Sequence, residues 1–181
     1  GQVIIGHTAG VTTGSVTAPF QVLGTGGADT HVTFGRWSAD ATGSKLNFIK
    51  SRNASIDGNT VVQDNDELGI INFIGNDGSD DETIGAQIMA RVNGTPGSND
   101  LPTELVFSTT ADGASSPTER MYITSVGRVG IGEDSPDTSL HIKNTSGDNR
   151  GIMVENTVAS SYAEAQFKGA KEFRIGTGGS S

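Results

Sequence analysis

Acidic side chains are concentrated in two short runs of this 181-residue chain. The first run is Asp64-Asn65-Asp66-Glu67, and the second covers residues 77–82 with three Asp and one Glu. Paired carboxylates can serve as the acid and the base or nucleophile of glycoside hydrolysis. Both runs lie beside turn-forming residues, whereas hydrolytic carboxylates usually come from separate strands that face a groove. This placement favours solvated loops over a catalytic site.

The same carboxylates could also bind calcium, because Ca²⁺ takes oxygen ligands. The first run does not match an EF-hand loop, because its fifth position would be Leu68 and its twelfth Gly75. A looser Ca²⁺ site built from Asp64, Asp66 and Glu67 stays open as a hypothesis. We predict no cofactor.

The three histidines are far apart in sequence, at His7, His31 and His141. A three-His metal site on a trimer axis needs one His per chain, so their spacing does not exclude it. The alternating position of His141 in a predicted strand favours a surface or interface residue instead.

Trp37 is the single Trp, and Phe34 and Arg36 lie nearby. Such a group could stack on a sugar, although packing is the favoured interpretation. The chain contains no Cys nucleophile, no GxSxG motif and no Walker loop. We therefore predict that the protein is not an enzyme.

Composition narrows the class of protein further. With 12 basic and 21 acidic residues, the net charge of −9 argues against nucleic acid or an anionic membrane as a partner. No apolar run approaches the ~20 residues of a membrane-spanning helix, so no membrane insertion is predicted. Only 33% of residues are hydrophobic while 26 are Gly. A chain with so few large apolar residues has difficulty building a deep core alone, so we expect a core shared between subunits.

Short stretches with a period of two indicate β-strands throughout the chain. In residues 84–92, Ile84, Ala86, Ile88, Ala90 and Val92 alternate with Gly85, Gln87, Met89 and Arg91. Turn-forming residues such as Asn76-Asp77-Gly78 separate the stretches. Strands are predicted at 2–6, 20–23, 31–35, 45–51, 68–75, 84–92, 104–109, 119–124, 128–131, 139–143, 151–155, 164–168 and 172–175, with a helical turn as the alternative within 160–168.

The beginning of the chain returns in its last third. Residues 1–6 (GQVIIG) correspond to residues 127–132 (GRVGIG), and Phe20-Gln21-Val22 corresponds to 140–142 (LHI) after a loop that is six residues shorter. Such a repeat is typical of modular architectures. It predicts a first module at 1–126 and the start of a second, truncated copy at 127–181.

Glycine alternates with Val129 and Ile131 in the second of these motifs, which leaves one strand face without side chains at Gly130 and Gly132. A bare face allows another backbone to approach closely. Three chains around an axis would need that closeness, and so would an ordinary bulge or barrel corner. The sequence leaves both explanations open.

Four short motifs follow one another in the second half of the chain: LVFSTTADG at 105–113, PTERM at 117–121, GRVGIG at 127–132 and LHI at 140–142. Through these motifs, the residues between 45 and 143 resemble the tail fibre and tailspike proteins of tailed bacteriophages. The family pattern often has Arg where Tyr122 stands and a Thr-rich turn where Glu133 and Asp134 stand. These departures affect surface chemistry more than the fold.

The resemblance implies an all-β fibre domain built of short Gly-rich strands in repeated modules. It would be an elongated β-sandwich or β-prism, packed or intertwined as a homotrimer. The implied function is that of a virion structural protein: a tail fibre segment that supports host recognition and adsorption. Its partners would be other phage tail proteins and a host glycan or protein receptor. The alternatives are a polysaccharide-degrading tailspike and a bacterial surface adhesin.

Overall fold

The computed structural model describes residues 1–13, 16–144 and 152–153, and the regular structure in these ranges is β throughout. The chain divides into two units, Gly1–Lys143 and Asn144–Ser181, and all the strands described below lie in the first. The predicted strands at 164–168 and 172–175 lie outside the described residues. Of the predicted strand 151–155 only Ile152 and Met153 are described, and neither is in a strand.

Four short strands form the N-terminal part. They are β1 (Val3–Ile5), β2 (Thr12–Thr13), β3 (Val16–Thr17) and β4 (Phe20–Val22). Strands β1 and β4 pair in parallel, and β2 and β3 form a two-residue antiparallel ladder between them. The sequence predicted β1 and β4 but missed the β2–β3 pair, because two-residue strands are too short to show a period.

The remaining strands form one six-stranded sheet, ordered β10-β9-β8-β7-β6-β5. Neighbours from β5 to β9 are antiparallel, and β10 returns in parallel beside β9. The predicted strands match these elements to within one or two residues, and the all-β fold class is confirmed. The bounds are β5 (Glu67–Gly75), β6 (Thr83–Val92), β7 (Thr103–Thr109), β8 (Thr118–Ile123), β9 (Val129–Ile131) and β10 (Leu140–Ile142).

The pairs β1–β4 and β9–β10 have the same local geometry. Val3 lies opposite Phe20, as Val129 lies opposite Leu140. Each pair ends at a glycine with positive φ, 87° at Gly6 and 69° at Gly132. The assignment of two modules at 1–126 and 127–181 stays a prediction, since most of the second lies outside the described residues.

The glycines of this motif lie against other parts of the same chain. A Cβ on Gly130 would collide with the carbonyl oxygen of Glu133, and it would lie 3.6 Å from Cδ of Pro136. A Cβ on Gly132 would collide with the carbonyl oxygen of Lys143. The close approach that these glycines permit is therefore made by the chain's own backbone, in the β9–β10 loop at Gly130 and directly after β10 at Gly132, so the motif does not require a trimer axis.

The strands predicted at 31–35 and 45–51 were wrong for the single chain. Residues 31–38 and 42–50 contain neither a strand nor a turn. A ladder needs a hydrogen-bonded neighbour, and within the described ranges no backbone–backbone hydrogen bond reaches residues 30–50. Their period-two pattern therefore indicates a tendency to form strands, but these residues have no pairing partner within the described part of the single chain.

The contact between Gly132 and the backbone of Lys143 predicts a stability difference between two glycines. A Cβ added to Gly113 (φ 77°) would have nothing within 4 Å, whereas Gly132 has a similar φ and a carbonyl oxygen in the way. We expect Gly113→Ala to cost about 1 kcal/mol through φ strain alone. Gly132→Ala should cost at least about 1 kcal/mol more, because the backbone must shift. Equal losses in urea unfolding would contradict the described contact between Gly132 and Lys143.

Candidate functional site

The register of the six-stranded sheet collects hydrophobic side chains on one side, here called the apolar face. One row crosses all six strands: Ile71, Ile88, Phe107, Met121, Ile131 and Ile142 are successive partners. Residues two positions along each strand point to the same face. The row is therefore flanked by Phe73, Ala86, Ala90, Leu105, Ile123, Val129 and Leu140.

Several side chains of the apolar face are open to solvent in the single chain, whereas Val92, at the end of β6 on this face, is fully buried. Phe73 is 54% exposed and Leu140 is 53% exposed, at opposite edges of the sheet, and Ile71, Leu105 and Ile131 are each more than two-fifths exposed. Scattered apolar residues on a surface need no explanation. A contiguous apolar patch across six strands is typical of an interaction surface.

The opposite side, here called the buried face, holds the core of the sheet. Met89, Val106 and Tyr122 form its buried cluster, and Ile70 packs against them. The more polar side of β6 is thus the buried one, although the alternation in sequence suggests the opposite. The side with Met89 and Arg91 is turned to the core, and the side with Ala86 and Ile88 belongs to the apolar face.

Charged groups complete the buried face. Arg91 donates from Nε and Nη2 to Oε1 of Glu104, at 2.8 Å and 2.5 Å, and from Nη1 to Oε1 of Glu119 at 3.0 Å. Asn93 donates to the second oxygen of Glu104 at 3.0 Å, and Tyr122 donates to Oε2 of Glu119 at 2.9 Å. The Glu104 residue is only 3% exposed. Its carboxylate therefore depends on these donors instead of water.

The pKa shifts in this cluster follow from burial and ion pairing, and they do not make any of its groups reactive. Burial opposes the charge of Arg91, but its hydrogen bonds and its attraction to Glu104 and Glu119 raise its pKa overall. Burial, followed by the hydrogen bond to Glu119, raises the pKa of Tyr122 well above its usual value of 10. A phenol with a raised pKa is a poor nucleophile at neutral pH. The geometry stabilises charges against each other and activates none of them.

The first acidic run is held by neighbouring groups. Asp66 accepts from Nε and Nη2 of Arg52 at 2.7 Å and 2.6 Å, and from the backbone N–H of Gln63. These bonds lower the pKa of Asp66 to about 2. Asp64 accepts from the backbone N–H of Gly94 at 2.8 Å. The prediction of a freely solvated loop misses these bonds, which tie the loop to its surroundings.

The second acidic run caps its own turn. Asp77 accepts from the backbone N–H of Ser79 and from the hydroxyl of Thr83, both at 2.9 Å, and these bonds lower its pKa. Asp80 accepts from the backbone N–H of Glu82. Such side chain-to-backbone bonds are the usual role of Asp in turns. Over the ranges that the structure describes, no three His, Asp or Glu side chains gather as metal ligands.

The other candidate residues are not brought together. His7 bonds within its own turn, to the carbonyl oxygen of Ala9, and His141 lies in β10 opposite Gly130. Trp37 is 91% exposed, and it lies over Gly35. The packing favoured for Trp37 is therefore not made in this chain, and the sugar-stacking hypothesis stays a prediction. No helix among the described residues could cross a membrane.

Sequence reasoning missed the cluster around Arg91. Arg91 and Glu104 occupy facing positions in β6 and β7, but a pairing of that kind emerges only once the register is known. The alternation of 84–92 did contain the apolar face. It could not show that five further strands would extend that face.

Comparison with known proteins supports the fold. No protein-family model and no curated protein sequence matches the chain. A solved structure of the carboxy-terminal domain of the bacteriophage T5 L-shaped tail fibre matches with a TM-score of 0.50 and 15% identity, over 77% of this chain and 50% of that one. The same domain with its intramolecular chaperone domain matches with a TM-score of 0.50 and 16% identity, over 81% and 38%. The chain thus spans half or less of these structures, and it shares their all-β fold.

The buried ion cluster predicts a large effect of one arginine. Arg91→Met leaves Glu104 without its main partner, and breaking a buried pair typically costs 3–5 kcal/mol. The control Arg36→Met removes an exposed pair with Asp40, which is expected to cost about 1 kcal/mol or less. Adding Glu104→Gln and Glu119→Gln to Arg91→Met should recover part of the loss. Similar unfolding free energies for the two single variants would contradict the described cluster.

Proposed function

We propose that this chain is a segment of the tail fibre of a tailed bacteriophage: a virion structural protein that supports attachment to the host. Two independent lines support the proposal. One is the fold shared with the phage T5 fibre domain, and the other is the motif resemblance between residues 45 and 143. The exposed apolar face is the observation that supports the proposal most, because fibre subunits that associate through this face would bury it.

The proposed use of the apolar face is the common interior of a homotrimer. Fully burying a large apolar side chain contributes roughly 1.5–3 kcal/mol relative to exposure. The half-exposed Phe73, Leu140 and their neighbours would each contribute about half of that on assembly. Closed symmetry would bury the same patch on each copy and leave none uncovered.

The mechanism would be mechanical and adhesive. Sheets stacked along a fibre axis supply stiffness, and the loops between strands supply surface for contact with other tail proteins and with a host glycan or protein receptor. The acidic surface, with a net charge of −9, keeps such an assembly away from nucleic acid and anionic lipid.

A depolymerase has less support from the geometry. The described residues bring two carboxylates from separate strands together at Glu104 and Glu119, but Arg91 binds both and Glu104 is buried. The solved domains of similar fold are named as carboxy-terminal domains of a tail fibre. Both points favour a role without catalysis.

The proposal predicts what a charge on the apolar face does to assembly and to adsorption. Phe73→Glu would bury a carboxylate between copies, which costs several kcal/mol per ion and lowers the association constant by at least about a hundredfold. Light scattering should show trimers for the unchanged protein and monomers for this variant. Phage that carry Phe73→Glu should also adsorb poorly.

The control is Val126→Glu, at an exposed apolar residue in the turn before β9. This variant should assemble and adsorb normally, because Val126 is not on the apolar face. A monomeric unchanged protein would refute the trimer. Normal adsorption by phage whose protein cannot assemble would refute the fibre function.

A further inference from the structure

One long segment before β5 is exposed along its whole length. Every residue from 24 to 50 is exposed, although the stretch includes large hydrophobic residues. Trp37 and Ile49 are both 91% exposed, and Val32, Phe34, Leu46 and Phe48 are each more than half exposed. Residues 31–50 are here called the unpaired segment. A stretch with this much exposed apolar surface needs a partner.

The backbone of the unpaired segment also needs a partner. Val32 and Phe34 alternate with polar or small residues, and Leu46 and Phe48 alternate with Lys45 and Asn47 up to Ile49, which is the pattern of strands that bury one face. Over the described ranges, no backbone ladder reaches this segment in the single chain. A partner that satisfied both needs would have to offer a strand, because a strand supplies donors, acceptors and an alternating face together.

A formed bend already divides the unpaired segment into two arms, 31–38 and 42–50. Arg36 pairs with the carboxylate of Asp40 and donates to the carbonyl oxygen of Thr42 at 2.6 Å. Asp40 also accepts from the backbone N–H of Thr42 at 2.9 Å, and these bonds lower its pKa. The bend holds the junction while both arms stay available for pairing.

The second arm begins its contact with the sheet at the apolar face. A Cβ on Gly69 would lie 2.6 Å from Cβ of Phe48, so Phe48 lies directly over Gly69. Gly69 precedes Ile71 and Phe73 on the same side of β5, and β5 is the edge strand of the sheet. The unpaired segment is thus continuous with the face proposed as the trimer interior.

Charge also favours another copy of this chain as the partner. The unpaired segment contains Arg36, Lys45 and Lys50 but only one acidic residue, Asp40, whereas the whole chain has a net charge of −9. A basic segment can approach a second acidic chain favourably. Every copy brings the same unpaired arms, so pairing within a closed assembly satisfies all of them.

We propose that the two arms of the unpaired segment become strands by pairing with neighbouring copies of this chain, so that the fold between β4 and β5 is completed only on assembly. This inference rests on the self-association in the proposed function, and it adds the segment that the copies exchange. It explains why strand-type sequence at 31–35 and 45–51 forms no strand in one chain.

Amide hydrogen exchange of the assembled protein tests the proposal, with the Phe73→Glu monomer as reference. In the assembly we expect the alternating amides of 31–35 and 45–50 to exchange at least about a hundredfold more slowly than in the monomer. The amides of β6 and β7 should be protected in both. The single Trp of the chain, Trp37, gives a second readout, since its emission should shift to the blue when the arms are covered.

A cross-linking test separates pairing between copies from pairing within one chain. The chain has no Cys, so Leu46→Cys can be linked by a short bismaleimide, with Ala114→Cys on an exposed loop as control. Covalent oligomers from Leu46→Cys alone support the proposal.

A trimer whose unpaired segment shows no protection from hydrogen exchange would overturn this inference and leave the fibre proposal intact. Protection in both assembly and monomer would overturn it in favour of pairing within the chain, and a protein that is only monomeric would overturn both.

Discussion

The uncovered apolar face is the constraint on which the rest of the molecule depends. Six strands align hydrophobic side chains from Phe73 to Leu140 on one side, and both of these residues are more than half exposed in the single chain. A sheet normally buries its apolar side and leaves charged groups in water. Here the charged pair Arg91–Glu104 lies on the covered side. In the proposed trimer, other copies would complete the core on this side.

The covered side explains how one sheet stays ordered without a second layer on its apolar face. The cluster of Met89, Val106 and Tyr122 supplies a small core, and Arg91 links β6 to β7 and β8 through Glu104 and Glu119. Breaking such a buried pair is expensive even where its net contribution is small. The cluster thus specifies the register, and the register aligns the apolar row on the other side.

Much of this architecture was predictable from sequence, and the failures have physical causes. The strand β6, with its strong period-two pattern, and β5, a short apolar run bounded by Gly and a turn, were predicted to within a residue because both patterns are local properties. The pairing of Arg91 with Glu104 depends on register, which a single strand does not contain. The predicted strands at 31–35 and 45–51 were wrong for one chain because pairing is a property of two strands. The bonds of Asp64 and Asp66 to Gly94 and Arg52 join positions distant in sequence, so local composition could not show them.

Hydroxyl-radical footprinting of the purified, assembled protein tests the central claim most directly, because it measures the solvent access of individual side chains. The account predicts that Phe73, Leu105 and Leu140 on the apolar face are labelled far less in the assembly than in dissociated protein. Val126, in its exposed turn, should be labelled equally in both. Equal labelling of the apolar face in the two states would show that assembly does not cover it, and would contradict the account.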